Sequence, residues 1–355
     1  MATVLWFNHG FSSLYNIIGL LDRGAAEHGG FPGGLRVILS HSNPGFVARP
    51  AADEFLDEPP DPQGEGYADW CLDVCRAKGV RIFWPSRQAR ALAARASDFE
   101  SMGVRLMVPA GPETLDVLND KALFYAACRG LDVGIPRYRE AADAESFRSA
   151  AEELRAAGLA VCFKPTSSIY GLGFKIIRSD SHDPLASFLA SDHASVSWEE
   201  ALRVLDVPPE RFRKLLVMEL LPAPEFSLDC LAMDGSLLAS TVRRKPLRSG
   251  APERLVEDAA LAGAAASLVR RFGLSWIVNV QFRSSPDGPR LLEINPRMAG
   301  GLYFSCLGGI NYPYWAARMA LEDCRDLVPG QRLGIAVSQA YRPFVYDTGD
   351  QSWED

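Results

Sequence analysis

Leu291-Leu292-Glu293-Ile294-Asn295-Pro296-Arg297 is the stretch on which the reading of this chain turns. Side chains of an extended strand alternate between two faces. Leu292 and Ile294 therefore share one side, and Leu291, Glu293 and Asn295 the other. The stretch 275–283 alternates in the same way: Trp276, Val278, Val280 and Phe282 oppose Ile277, Asn279, Gln281 and Arg283. Paired as a hairpin around the turn 285–289, the two strands bring Gln281, Glu293 and Asn295 together. Carboxylate and amide oxygens are hard ligands suited to Mg2+, which takes few protein ligands and fills its shell with phosphate and water. Arg297, just beyond the strand, is placed to face negative charge developing at a reacting centre. An ordinary solvent-facing strand shows the same alternation, and the 291–297 run as a whole shifts the balance away from it.

Working outward, the hairpin closes an α+β block. Strands are expected at 215–219, 226–233 and 237–243, with a turn at Asp234-Gly235, and an alanine-rich helix over 256–272 ends at Gly273. Before this block lie a helix over 121–129 capped by Asn119 or Asp120, and a second helix over 142–157. Strands at 160–164 and 174–178 flank a glycine-containing turn, and a polar helical region covers 184–214. The first third differs. Strands at 3–7, 35–39, 80–84 and 104–108 alternate with helices, one from Ser12-Ser13 through 21 and one over 67–78, the pattern of a parallel sheet. Capping by Ser12 or Ser13 is favoured over an anion-holding role for His9-Gly10-Phe11-Ser12-Ser13. Segment 40–66, rich in Pro, Gly and Asp, is expected to be a long loop or lid.

These signals divide the chain into an N-terminal α/β domain over 1–112 and a segment 113–214 containing the loop 166–173. A segment 215–335 with the metal site and a tail over 336–355 complete it. A 355-residue chain with 48% hydrophobic and 23% charged residues is ordinary globular material, large enough for two or three units. Its net charge of −7 argues against general binding to nucleic acid or anionic membrane. The N-terminus lacks a basic leader and an unbroken apolar run, so neither a signal peptide nor a membrane span is expected. Seven scattered cysteines without zinc spacing suit a reduced, cytoplasmic setting.

The run Leu292-Glu293-Ile294-Asn295-Pro296-Arg297, followed by Gly300-Gly301, resembles the metal-binding strand of the ATP-grasp superfamily, nearest the carbamoyl-phosphate-synthetase and biotin-carboxylase-like branches. The resemblance covers roughly 105–330 and implies a Rossmann-like pre-ATP-grasp domain followed by a two-subdomain ATP-grasp fold. It implies ATP and Mg2+ as cofactors, with Mn2+ as an alternative, and Gln281, Glu293 and Asn295 as metal ligands. Glutamine at 281 departs from the second acid of many members and leaves the number of metal ions open. Lys121 and Lys164 resemble the two nucleotide-binding lysines. The run 166–173, with Ser167, Ser168 and Gly171, resembles the phosphate-covering loop, with fewer glycines than usual. Glu219, Leu220 and Leu221 resemble the adenine-reading hinge, and Glu225 the ribose-side acid. Arg243 and Arg297 resemble catalytic positions for phosphate or acyl phosphate. The stretch Trp6–Ser12 resembles ATP-grasp proteins encoded with stress and tellurite-resistance operons.

The implied reaction is ligation of a small-molecule carboxylate to an amine through an acyl phosphate, in the cytoplasm. A small-molecule kinase and a non-catalytic ATP sensor are the alternatives. A homodimer is compatible with these readings.

Overall fold

The computed structural model describes residues 1–59, 65–167, 172–178, 194–248, 250–322, 324 and 330–340. The chain forms two compact units, each discontinuous in sequence. The first comprises 1–115, 226–280 and 294–355, and the second 116–225 and 281–293.

In the first unit, β1 (Thr3–Asn8), β2 (Leu35–His41), β3 (Glu54–Asp57), β4 (Ile82–Pro85) and β5 (Arg105–Leu106) form a parallel sheet in the order β3-β2-β1-β4-β5. β1 is central and wholly buried, as a parallel strand covered on both faces must be. The sheet order reverses direction beside β1, so the carboxyl ends of β1 and β4 form the switch point at which open parallel sheets bind ligands.

The expected loop over 40–66 is not wholly irregular: β3 lies inside it, paired to β2 from Ile38↔Glu54 to His41↔Asp57. The Asp53 carboxylate accepts from Val37 N at 2.7 Å and fixes the strand's entry. Four half-exposed residues at a sheet edge are too short a run for an alternation pattern to register. The helices Ala89–Ala94 and Ala96–Ser101 also had no sequence expectation.

In the second unit, β6 (Tyr138–Ala141), β7 (Val161–Pro165), β8 (Lys175–Ile177), β9 (Ser195–Val196) and β10 (Leu215–Glu219) form a sheet in the order β6-β10-β7-β8-β9. It is antiparallel except for β8 and β9. Helix Ala144–Ala156 packs Phe147, Ala150, Ala151 and Leu154 against it. Its start is a reciprocal cap: the Asp143 carboxylate accepts from Ser146 N, and Ser146 Oγ accepts from Asp143 N. The expected polar helical region shrinks, among the described residues, to helix Trp198–Leu205 and a short turn at Pro209–Arg211.

A third sheet holds β11 (Glu225–Met233), β12 (Ser236–Arg244), β13 (Glu253–Val256), β14 (Trp276–Arg283), β15 (Arg290–Asn295) and β16 (Ile335–Val337), in the order β15-β14-β11-β12-β13-β16. Helix Ala259–Phe272, capped by Asp258 and closed by Gly273 at φ 59°, comes after β13. β14 and β15 are neighbours, as the hairpin reading requires. β13 and β16 had no sequence expectation, and the helix begins three residues later than 256. No helix among the described residues is long and apolar enough to cross a membrane.

Replacing Asp143 by Ala removes the carboxylate arm of the cap and leaves the backbone N–H of residue 143 bonded to Ser146 Oγ. A loss of about 1 kcal/mol is expected, measured as a fall in the denaturation midpoint with an unchanged slope on denaturant.

Candidate functional site

The second unit gathers charge of both signs around helix Lys121–Ala127 and the strands β7 and β15. Asp120, not Asn119, caps that helix, accepting from Ala122 N at 2.9 Å and Leu123 N at 3.1 Å. The cap fixes the start of the helix at Lys121, whose backbone N–H donates to Thr166 O at 2.9 Å. Lys121 is buried, at 7% exposure. One helical turn on, Tyr125 donates its hydroxyl to Leu292 O at 2.9 Å, anchoring the helix to the residue before Glu293. Burial, then the Glu293 carboxylate, holds the Tyr125 phenol well above its ordinary pKa.

Lys164 lies in the same field. Burial pushes its ammonium down to about 8; Glu293 opposes the shift and Lys121 adds to it. Two lysines and one carboxylate thus interact within one unit, leaving net positive charge in a poorly solvated place. Such a place favours a polyanion. Ser167 Oγ donates a long bond of 3.4 Å to Asp120 Oδ2, while Ser168 and Gly171 lie outside the described residues.

At the end of β10, Glu219 N donates to Arg137 O at 3.0 Å and Leu220 N to Ala160 O at 2.7 Å. The Glu219 carboxylate accepts from Arg137 N at 2.8 Å. Two of the three amides of 219–221 are therefore committed to the protein. Glu225, the first residue of β11, is half-buried, as are Gln281 and Glu293.

The first unit carries two further groups. In one, Arg243 is 2% exposed, with all three nitrogens engaged: Nε to Asp229 Oδ2 at 2.9 Å, Nη1 to Glu253 Oε2 at 2.7 Å and Nη2 to Ser227 Oγ at 3.0 Å. Burial works against its charge, but Asp229 and Glu253 outweigh burial and hold the guanidinium above its ordinary pKa. A Cβ on Gly301 would lie 2.8 Å from Arg243 Nη1. Gly301 therefore makes room for the arginine. Asn279, fully buried, donates to Ser227 Oγ, Leu228 O and Asp229 Oδ1.

Arg297 belongs to the other group. It stacks over the Phe11 ring at 4.7 Å and donates to Met298 O at 3.0 Å. It lines a small recess of about 10 Å3 with Phe11, Ser13, Trp84, Ser86 and Met107, at the carboxyl ends of β1 and β4. Next to this recess, Arg87 bridges Glu58 (3.2 Å) and His9 Nε2 (2.6 Å), and Ser40 Oγ donates to Glu58. Burial raises the Glu58 pKa, but His9, Ser40 and Arg87 together bring it below the ordinary carboxylate value. His41 stacks on His9 at 4.1 Å, and burial followed by the His9 and Arg87 charges lowers it to about 4. The expected cap by Ser12 or Ser13 is not formed: Ser13 occupies the cap position without a side-chain bond. Phe11 O and Ser13 O accept the first helical amides instead.

With this geometry in place, comparison with known proteins is decisive for the fold. A structure of N5-carboxyaminoimidazole ribonucleotide synthetase in complex with ADP superposes with a TM-score of 0.63, covering 94% of this chain and 79% of that one at 14% identity. The L-amino acid ligase of Bacillus licheniformis gives a TM-score of 0.61, covering 90% of this chain and 75% of that one at 15% identity. The chain has the ATP-grasp fold. Residues 211–342 match the family model described as ATP-grasp in the biosynthetic pathway with Ter operon. Carnosine synthase 1 of Gallus gallus is 37% identical over 126 residues, 31% of this chain and 13% of that protein. The chain thus matches about an eighth of that relative's length.

On this ATP-grasp chain, sequence reasoning had missed Asp229 and Glu253 as partners of Arg243, Ser305 as a further donor to Asp229, and Tyr125 as the tie to β15. Tyr125 was within reach of the helical period, one turn beyond Lys121. Glu253 was not, because the four residues of β13 carry no readable alternation. Among the described residues no three His, Cys, Asp or Glu side chains gather as a metal site. A cation would rest on Glu293 with amide, phosphate and water oxygens, a hard donor set that fits Mg2+.

Lys164→Met is expected to stabilise the ligand-free protein at pH 7 by more than about 1 kcal/mol. Folding lowers this lysine's pKa, so its charge weakens the fold at neutral pH. That deficit shrinks as pH rises from about 8 towards the ordinary 10.5. Denaturation of both proteins across this range measures the converging stabilities.

Proposed function

We propose that this chain uses ATP to activate a small-molecule carboxylate and joins it to an amine, releasing ADP and phosphate. The observation that carries the reading is the grouping of Lys121, Lys164 and Glu293 in the second unit, on the ATP-grasp fold. Its net positive charge suits a nucleotide triphosphate, and its single carboxylate suits a divalent ion held between protein and phosphate. Lys121 and Lys164 bind phosphate oxygens, Ser167, Ser168 and Gly171 contribute to the covering loop, and Glu219 to Leu221 with Glu225 hold the nucleoside. Glu293, with the amide oxygens of Gln281 and Asn295, would hold Mg2+ or Mn2+, which would supply charge neutralisation at the phosphates.

In the first step a carboxylate oxygen attacks the γ-phosphorus and the bond to the β-phosphate oxygen breaks, giving ADP and an acyl phosphate. The amine then attacks the acyl carbon, phosphate leaves, and the nitrogen loses a proton. Phosphoryl transfer needs positioning and charge neutralisation more than covalent help. Arg297, beside the recess at the sheet's carboxyl edge, faces the acyl phosphate in this scheme. Arg243, with its three nitrogens engaged inside the protein, acts from behind and not on the substrate.

ADP release from Mg–ATP across pools of carboxylic acids, amino acids and amines tests this, with hydroxylamine in a parallel set to trap acyl phosphate as hydroxamate. Pool-dependent ADP with hydroxamate is expected, and Glu293→Gln should lower both by more than about a hundredfold. ADP without hydroxamate would replace ligation by phosphorylation of the pool compound. Wild-type activity in Glu293→Gln would remove the metal assignment.

A further inference from the structure

We infer that Asn279 is a positioning residue for Asn295, fixing which end of the Asn295 amide can meet a cation; the inference rests on the metal reading above. Asp229 sets the direction of the whole network. This fully buried carboxylate accepts from Arg243 Nε at 2.9 Å, from Ser305 Oγ at 2.6 Å and from Asn279 Nδ2 at 2.9 Å. Arg243 Nη2 donates to Ser227 Oγ, so that oxygen is also an acceptor towards the network. The groups around the Asn279 nitrogen are therefore Asp229 Oδ1, Leu228 O and Ser227 Oγ, at 2.9, 3.1 and 2.9 Å. A carboxylate and a carbonyl oxygen can only accept. Turning the Asn279 amide over would set its oxygen against both of them in a site without solvent, at the cost of several buried bonds. The donors and acceptors themselves thus require Nδ2 inward and Oδ1 outward.

That outward oxygen accepts from Asn295 Nδ2, at 3.5 Å. The contact is long, and its importance lies in sign more than in strength. With its nitrogen turned to Asn279, Asn295 has its Oδ1 at the other end of the amide. The reverse orientation would place two oxygens together on one side and offer an N–H2 to a cation on the other. Residues behind a ligand orient it in this way, and their loss typically lowers metal affinity about 10- to 100-fold. The chain of contacts runs Glu253–Arg243–Asp229–Asn279–Asn295, every member in the first unit.

The test exploits the symmetry of a carboxylate. Mn2+ binding is followed by electron paramagnetic resonance in the presence of a non-hydrolysable ATP analogue. Nucleotide affinity without metal and thermal midpoint are measured alongside. Asn279→Ser keeps a hydroxyl for Asp229 but is too short to reach Asn295, and Asn279→Ala removes both contacts. Either substitution is expected to weaken Mn2+ about tenfold or more, with nucleotide affinity unchanged. In an Asn295→Asp background, whose two oxygens have no wrong way round, the same substitutions should change Mn2+ affinity less than about twofold. Equal losses in both backgrounds, or no loss in the Asn295 protein, would overturn the positioning role. If Asn295→Ala itself leaves Mn2+ affinity unchanged, the metal assignment fails, and this inference with it. Should Asn279→Ala not fold, Asn279→Ser carries the same comparison.

Discussion

One guanidinium stitches the third sheet together. Arg243 on β12 bonds Ser227 and Asp229 on β11 and Glu253 on β13, and through Asp229 it reaches Asn279 on β14 and Ser305. An ion pair this deep gains little over apolar packing, but removing one partner leaves a buried charge at a cost of about 3–5 kcal/mol. The arrangement is therefore all or nothing. It also constrains distant sequence, because Gly301 must lack a side chain for the arginine to lie where it does. The direction of the Asn279 amide, and with it that of Asn295, depends on this anchor.

The second unit obeys the opposite logic. Lys164 is held near Lys121 in a poorly solvated place, with one carboxylate in partial compensation. Ligand-free, that grouping costs stability. A bound polyanion would relieve it, which is how sites that must bind phosphate commonly trade stability for function. The Arg243 network sets one guanidinium between two carboxylates, whereas the grouping in the second unit sets two lysines beside one carboxylate.

The hairpin around 281–295 was legible in the sequence because strands of eight and six residues are long enough for alternation to show. The ATP-grasp fold was legible from the same run, and the family match over 211–342 contains it. The operon-related resemblance was drawn from Trp6–Ser12, whereas that match lies in another part of the chain. Alternation alone read Asn279 as one more polar residue on an open face. It is fully buried, and its partners come from β11, whose side chains no local pattern ties to β14. Arg243 was likewise read as facing a ligand, since nothing local announces that Asp229 and Glu253 surround it. Short strands such as β3 and β13 were invisible for want of length. Long-range polar pairing is the information that a single sequence holds least openly.

Transfer of oxygen isotope tests the central claim of carboxylate activation most directly. The accepted carboxylic acid, labelled with 18O in both carboxyl oxygens, is turned over with ATP and amine, and the released phosphate is analysed by mass spectrometry. Passage through an acyl phosphate requires one labelled oxygen in each phosphate formed. Unlabelled phosphate, with both labelled oxygens retained in the organic product, would contradict the account.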